Sequence, residues 1–207
     1  MRKLEVLFAA LTLMLVSTTA LAQQDFKSVE EVNGKVVGEK VENFTAVDED
    51  GNLFELKDAL EEGPVVVVFY RGQWCPICNR HLTNLQDSLN LIEKMGATVI
   101  AISPEKPKYL NQTQEKTGAE FTLIYDADYS ISKSFDVLFR PEQQVIDLYN
   151  ERLGADFANA QSDDSAQIPV PATFVIDESG RVAWRHFDRD YKIRATAKQI
   201  LDALKML

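Results

Sequence analysis

A chain of 207 residues with 32 acidic side chains against 22 Lys and Arg, a formal charge of −10, is a poor candidate for binding nucleic acid or anionic lipid. Its length suits one domain with a substantial core. Its two cysteines, three positions apart, would close a loop too small to stabilise a fold by much, and a core of this size hardly needs it.

The first 22 residues, MRKLEVLFAALTLMLVSTTALA, combine Arg2 and Lys3, an apolar run from Val6 to Val16 and a small-x-small site at Ala20-Leu21-Ala22. This pattern predicts a cleaved signal peptide. The rival reading, a membrane anchor, needs roughly 20 apolar residues, more than this run supplies. The absence of a cysteine at the cleavage site excludes a lipid anchor there. The mature chain is expected in the periplasm or outside the cell, with no membrane association after cleavage.

Residues 23–40 are polar and poorly patterned, and are expected to form a loosely ordered lead-in to one domain over residues 41–207. ENFTAVDEDGNLFEL (42–56) reads as two short strands around an Asp-Glu-Asp-Gly-Asn turn. VVVVFYR (65–71), ATVIAIS (97–103), FTLIYD (121–126) and ATFVID (172–177) are apolar on both faces, as strands covered on both sides must be. Helical patterns lie between the first three, which predicts crossover units on a largely parallel sheet. Residues 139–168 interrupt this rhythm with a helical stretch, Glu142 to Leu153, and a polar loop longer than an ordinary connection. RVAWRHFD (181–188) follows ATFVID after a Glu-Ser-Gly turn, forming an antiparallel hairpin. A closing helix puts Ile200, Leu204 and Leu207 on one face.

Both thiols lie in FYRGQWCPICNRHL (69–82). A helix is expected to start at Cys75, with Pro76 in its first turn, where the missing N–H costs nothing. Cys78, Leu82, Leu85, Leu89 and Ile92 recur at helical spacing, so Cys78 faces the core. Cys75 is expected at the exposed helix N-terminus, where unpaired N–H groups favour a thiolate. An activated thiol beside a sheltered partner suits disulfide exchange. A small structural staple and a zinc half-site are the rival readings. The latter is short of ligands, because His81 and His186 are the only histidines and there is no second cysteine pair.

Trp-Cys-Pro-Ile-Cys between a buried strand and a helix resembles the active site of the thioredoxin fold. Within that superfamily the chain resembles the AhpC/TSA peroxiredoxin-like proteins. The resemblance rests on VGEKVENFTAVDEDG, FYRGQWCPICNRHL, VIAISPEKP, Asp163-Asp164-Ser165, IPVPATFVID, and Asp190-Tyr191 with Arg194. It implies an α/β thioredoxin fold: a central mixed sheet flanked by helices, an N-terminal strand pair, and an inserted helix and loop before the fourth core strand. It also implies peroxide reduction through a Cys75–Cys78 dithiol–disulfide cycle, with no cofactor, no metal and an external thioredoxin-like thiol donor. Pro171 matches the position of a cis proline that turns Val170 toward an extended thiol substrate, and Trp74 matches a residue that shields the pair.

The sequence departs from its relatives around the reactive thiol. The usual threonine is missing, and the usual arginine position before Thr-Phe falls at Pro171 to Ala172. Arg71 is the candidate replacement cation, with Arg194 a weaker one. Thioredoxin's buried aspartate corresponds to Phe69, which leaves His81 as a candidate for proton transfer. His186 is expected at the surface and Asp163-Asp164 in a plain loop. Exchange with protein disulfides is the alternative activity. A copper or zinc chaperone is a third reading, weakened by Cys spacing one residue short and by the lack of a methionine-rich tract.

Overall fold

A computed structural model describes residues 26–207, so the signal peptide expected over residues 1–22 lies outside the described residues. The expected N-terminal strand pair forms as β1 (Thr45–Asp48) and β2 (Leu53–Glu55), and α1 (Leu56–Glu62) leads into β3 (Val65–Phe69). The Cys-x-x-Cys helix is α2 (Pro76–Gln86), followed by α3 (Leu89–Glu93), β4 (Thr98–Ser103), α4 (Pro107–Thr117) and β5 (Thr122–Tyr125). The stripe from Cys78 to Ile92 is buried throughout, although the expected single helix breaks at Asp87 and Ser88.

The seven-stranded sheet places β3 in its interior, between the central strand β4 and the later strand β8 (Ala172–Ile176), with β9 (Val182–Phe187) at the edge, in the order β2-β1-β5-β4-β3-β8-β9. Only β3–β4 and β4–β5 are parallel. The β1–β2 pair is attached antiparallel to β5, and β8 runs antiparallel to β3 and to β9. The sheet is therefore mixed rather than largely parallel, because only the segments between β3, β4 and β5 are crossovers that return the chain to the same direction.

β3 is buried at every position, as its unbroken valine run requires. Val66 and Val68 face a core built with α2, α3, α4 and the closing helix α8 (Ala197–Leu204). Val65, Val67 and Phe69 face a second core, where Phe69, Phe135 and Phe174 pack with centroids 5.0–6.0 Å apart. On α8, Ile200 and Leu204 are buried, whereas Leu207, expected on the same face, lies beyond the helix and is exposed.

Between β5 and β8 the chain forms α5 (Ser130–Ser134), then a small β6–β7 ladder (Leu138–Phe139 with Ile168–Pro169). The intervening insertion is α6 (Gln143–Leu148), a π-helical turn (Tyr149–Leu153) and α7 (Phe157–Ala160). The helix expected from Glu142 to Leu153 is thus α-helical only in its first half.

The lead-in expected to be loose is, from residue 26 onward, tied down. Val32 is fully buried. The N–H groups of Gly34 and Lys35 donate to the carbonyls of Asp136 and Phe135, and those of Gly38 and Val41 donate to Val182 and Gly180. The side chains of Arg185 and Arg189 add bonds to carbonyls between Val29 and Lys35. Polarity hid this order: a strap held mainly through its backbone shows no hydrophobic period.

Candidate active site

The site begins where β3 ends. Tyr70 N–H still donates to Ile102 of β4, but Arg71 and Gly72 leave the sheet, and Gly72 adopts φ +152°. A side chain at Gly72 would strike the Glu105 carboxyl and the Trp74 indole, each 2.5 Å from the place of a Cβ. Only glycine fits here, both in space and in backbone angle. Cys75 N–H then closes a turn on the Gly72 carbonyl, and Cys75 caps α2, its Sγ accepting the Cys78 N–H at 3.2 Å. Cys75 and Cys78 are joined as a disulfide.

One expectation fails here. Cys75 is not exposed: both cysteines are buried in the core cluster that also holds Trp74, which is packed against Tyr149 and Phe157 at 4.7 and 5.6 Å. The insertion between β6 and β7 therefore forms a wall of the site.

Arg71 is buried rather than exposed at the strand end. Its Nη2 donates to Cys75 Sγ at 3.0 Å and its Nη1 to the Tyr149 hydroxyl at 2.9 Å. The guanidinium lies over the rings of Tyr191, Trp74 and Tyr149, at 4.0, 5.0 and 5.1 Å. Arg194 Nη2 lies 3.5 Å from Cys78 Sγ. Each sulfur thus has its own guanidinium, and neither arginine forms an ion pair among the described residues. Burial pulls Arg71 down from its ordinary value; burial and then the Arg71 charge pull Arg194 down to about 10. No carboxylate lies within ion-pair distance of either cation, although the Asp190 charge partly offsets the lowering of Arg194, so a thiolate is a natural counter-charge for each.

Glu105, which follows β4, escaped the sequence reading. It is buried beneath the loop, its Oε2 accepting the Gln73 N–H at 2.7 Å. Lys116 of α4 donates to the Gln73 carbonyl from the other side. Burial pushes the Glu105 carboxyl up to about 8, against the opposing pull of the Gln73 N–H and Lys116. The signal available was its position: an acid just past a strand buried on both faces has little chance of reaching water.

His81 lies on the Cys78 face of α2, but its Nε2 is bonded to the Ala195 carbonyl at 3.0 Å. Burial, then the Arg194 charge, pull it down to about 4, so the ring is neutral near pH 7. The peptide bond before Pro171 is trans, not cis. Val170 N–H is committed to Val137 at 2.7 Å, which continues the β6–β7 ladder straight into β8. Val170 and Pro171 do border, with Arg71, Tyr149, Tyr191 and Phe139, a cavity of about 280 Å³. His186 is half-buried on β9, with its Nε2 buried and unpaired, so it is not simple surface. Asp163 accepts from Tyr129 and the Ser165 N–H. The guanidiniums at both sulfurs argue against a metal chaperone, since they would repel a cation.

The AhpC/TSA family model matches residues 37–185. The chain belongs to the AhpC/TSA family. It is a peroxiredoxin-like, thiol-dependent oxidoreductase of thioredoxin fold. A putative peroxiredoxin, bcp, of Haemophilus influenzae is 28% identical over 85% of this chain and all of its own length. Peroxiredoxin Bcp of Escherichia coli is 31% identical over 51% of this chain and 67% of its own. The crystal structure of peroxidoxin BcpB from Mycobacterium tuberculosis superposes with a TM-score of 0.64 at 22% identity, covering 83% of this chain and 97% of that one.

The two sulfurs should titrate unequally once reduced. Cys75, with a guanidinium at 3.0 Å and a helix N–H at 3.2 Å, is expected to ionise below the free-thiol value of about 8.5, and Cys78 less so. Thiolate absorbance of single-cysteine variants across pH checks this. A higher value for Cys75 than for Cys78 would reverse the assigned roles.

Proposed function

We propose that the protein is an extracytoplasmic peroxidase in which Cys75 attacks peroxide and Cys78 resolves the product. The observation that carries this reading is the buried contact between Arg71 and Cys75 Sγ. In the reduced protein the Cys75 thiolate attacks one peroxide oxygen, the O–O bond breaks, and the leaving oxygen departs with a proton as water or an alcohol. Arg71 can stabilise both the attacking thiolate and the negative charge growing on the leaving oxygen, with no carboxylate to cancel it. Cys78 then attacks the Cys75 sulfenic acid, releasing water and forming the disulfide. A thioredoxin-type thiol donor restores the dithiol. The cavity beside Arg71, lined by Val170, Phe139 and Tyr191, gives an organic hydroperoxide an apolar approach.

The second reading, exchange with protein disulfides, is favoured by one observation. Among the described residues the donors to Cys75 Sγ are Arg71 and the Cys78 N–H, with no hydroxyl. Oxidation of the reduced protein by hydrogen peroxide, measured beside its reduction of a protein disulfide, separates the two. The extracytoplasmic placement rests on the first 22 residues, and N-terminal sequencing of the mature protein should begin at Gln23; a chain beginning at Met1 would contradict it.

A further inference from the structure

A second cavity, of about 250 Å³, opens between α2 and the turn into α8. Its walls carry Arg80 and His81 from α2, and Lys192, Arg194 and Thr196 from the turn. No carboxylate lines it, on a chain whose formal charge is −10. Arg80 and Lys192 are exposed and form no ion pair among the described residues. The nearby acid Asp190 accepts the Lys192 backbone N–H and its charge acts on Arg194, which leaves Arg80 and Lys192 as the cations it does not engage through a side chain; His81 is neutral. Arg194 connects this cavity to the disulfide: its Nε is buried without a partner, and its Nη2 lies 3.5 Å from Cys78 Sγ. Lys192 and Arg194 also lie beyond the residues that the family model matches.

We propose that this cavity docks a small thiol bearing a carboxylate, which reduces the disulfide by attacking Cys78. This is a second route of reduction beside a thioredoxin-type donor, and it rests on the thiol-dependent reading of the site. Two guanidinium forks and an ammonium match a carboxylate in charge and in bidentate geometry. Docking draws Arg194 onto the carboxylate and uncovers the sealed Cys78 sulfur. The donor thiolate then forms a bond to Cys78 Sγ, the Cys75–Cys78 bond breaks, and its electron pair passes to Cys75 Sγ. That sulfur is the better leaving group, because Arg71 and the Cys78 N–H already face it. A second donor thiolate attacks the donor sulfur of the mixed disulfide. It releases the oxidised donor, itself a disulfide, and leaves Cys78 as a thiolate beside Arg194. Two thiolates have lost two electrons and the protein disulfide has gained them.

The test uses the oxidised mature protein at low salt. Its disulfide is reduced by limiting mercaptosuccinate, which carries two carboxylates, or by neutral 2-mercaptoethanol, and rates are compared per thiolate. The net charge of the protein alone would make the anionic thiol slower. Docking is expected to make it faster by about 10-fold, a preference that salt abolishes. In the Arg80→Ala/Lys192→Ala double variant the ratio should fall to near one or below. A wild-type protein that favours the neutral thiol, or a double variant that keeps the wild-type ratio, overturns the proposal. Peroxide oxidation of the reduced protein, measured in the same preparations, reports on the peroxidase reading alone. Slow peroxide chemistry with an intact anionic preference sinks that reading and leaves this proposal standing; the reverse pattern does the opposite.

Discussion

Replacing Arg71 with alanine is expected to slow peroxide oxidation of reduced Cys75 by about 10-fold or more, a loss of about 1.4 kcal/mol or greater in the barrier. The guanidinium touches Cys75 Sγ and is enclosed by Tyr149, Tyr191 and Trp74, away from water and from any acid that would neutralise it. Charge in such a setting acts at full strength on the oxygen that departs with the O–O electrons. Arg71→Lys keeps the charge but loses the fork that bridges Cys75 Sγ and the Tyr149 hydroxyl, and should fall between the two. Exchange with a protein disulfide should suffer less, since it depends on thiolate fraction and access and needs no stabilised oxygen leaving group. If Arg71→Ala is silent and the wild-type protein reacts with peroxide no faster than a free thiol, the peroxidase reading falls and disulfide exchange replaces it.

Glu105→Gln is expected to flatten the pH dependence of stability. Glu105 is pushed from an ordinary 4.5 up to about 8 in the folded protein, chiefly by burial. Between those values the native state holds a proton that the unfolded chain has released. Stability is therefore complete below the unfolded value and drains away as pH rises to the folded one. The slope approaches about 1.4 kcal/mol per pH unit, so the whole window amounts to something on the order of 5 kcal/mol. Glutamine retains an acceptor for the Gln73 N–H and has no proton to lose. Urea unfolding of the oxidised protein at pH 5, 7 and 8.5 should show the variant gaining on the wild type as pH rises. Asp126, also raised by burial, contributes its own slope to both proteins and cancels in the comparison. Parallel pH profiles would show that the carboxyl is not held neutral in the native protein.

The core strands were legible because burial on two faces leaves an unmistakable trace: VVVVF is apolar at every position and ATFVI at all but Thr173, and the two pair inside the sheet. The placement of Cys75 at the cap of α2 followed from Pro76 and the stripe below it for the same local reason. What local pattern cannot carry is depth. The helix start that the sequence placed at the surface is packed into one core cluster with Trp74, Tyr149 and Phe157, two of which arrive from an insertion more than 70 residues downstream. Arg71 was picked out as the nearest cation to Cys75, but its burial was not, because nothing in FYRGQW shows that three aromatic rings converge on it. Glu105 was hidden for a related cause, since its partner, the Gln73 N–H, is a backbone group that any residue supplies. The trans bond at Pro171 reflects pairing: Val170 serves the β6–β7 ladder, a commitment that the dipeptide does not reveal.

The strap has a practical meaning for anyone excising this domain. The family match runs from residue 37 to 185, yet the chain on either side of it is sewn together. Arg189, past the downstream limit, grips the carbonyls of Val29 and Val32, before the upstream one, and Gly34 lies against the Phe187 ring. A fragment trimmed to the family limits would lose Tyr191 from the Arg71 face and Arg194 from Cys78. It would also cut β9 after Arg185, leaving Ala172 and Thr173 of β8 without their partners Phe187 and His186, unpaired backbone of the kind that recruits other strands. The catalytic unit is thus larger than the shared family segment, and its two ends must travel together.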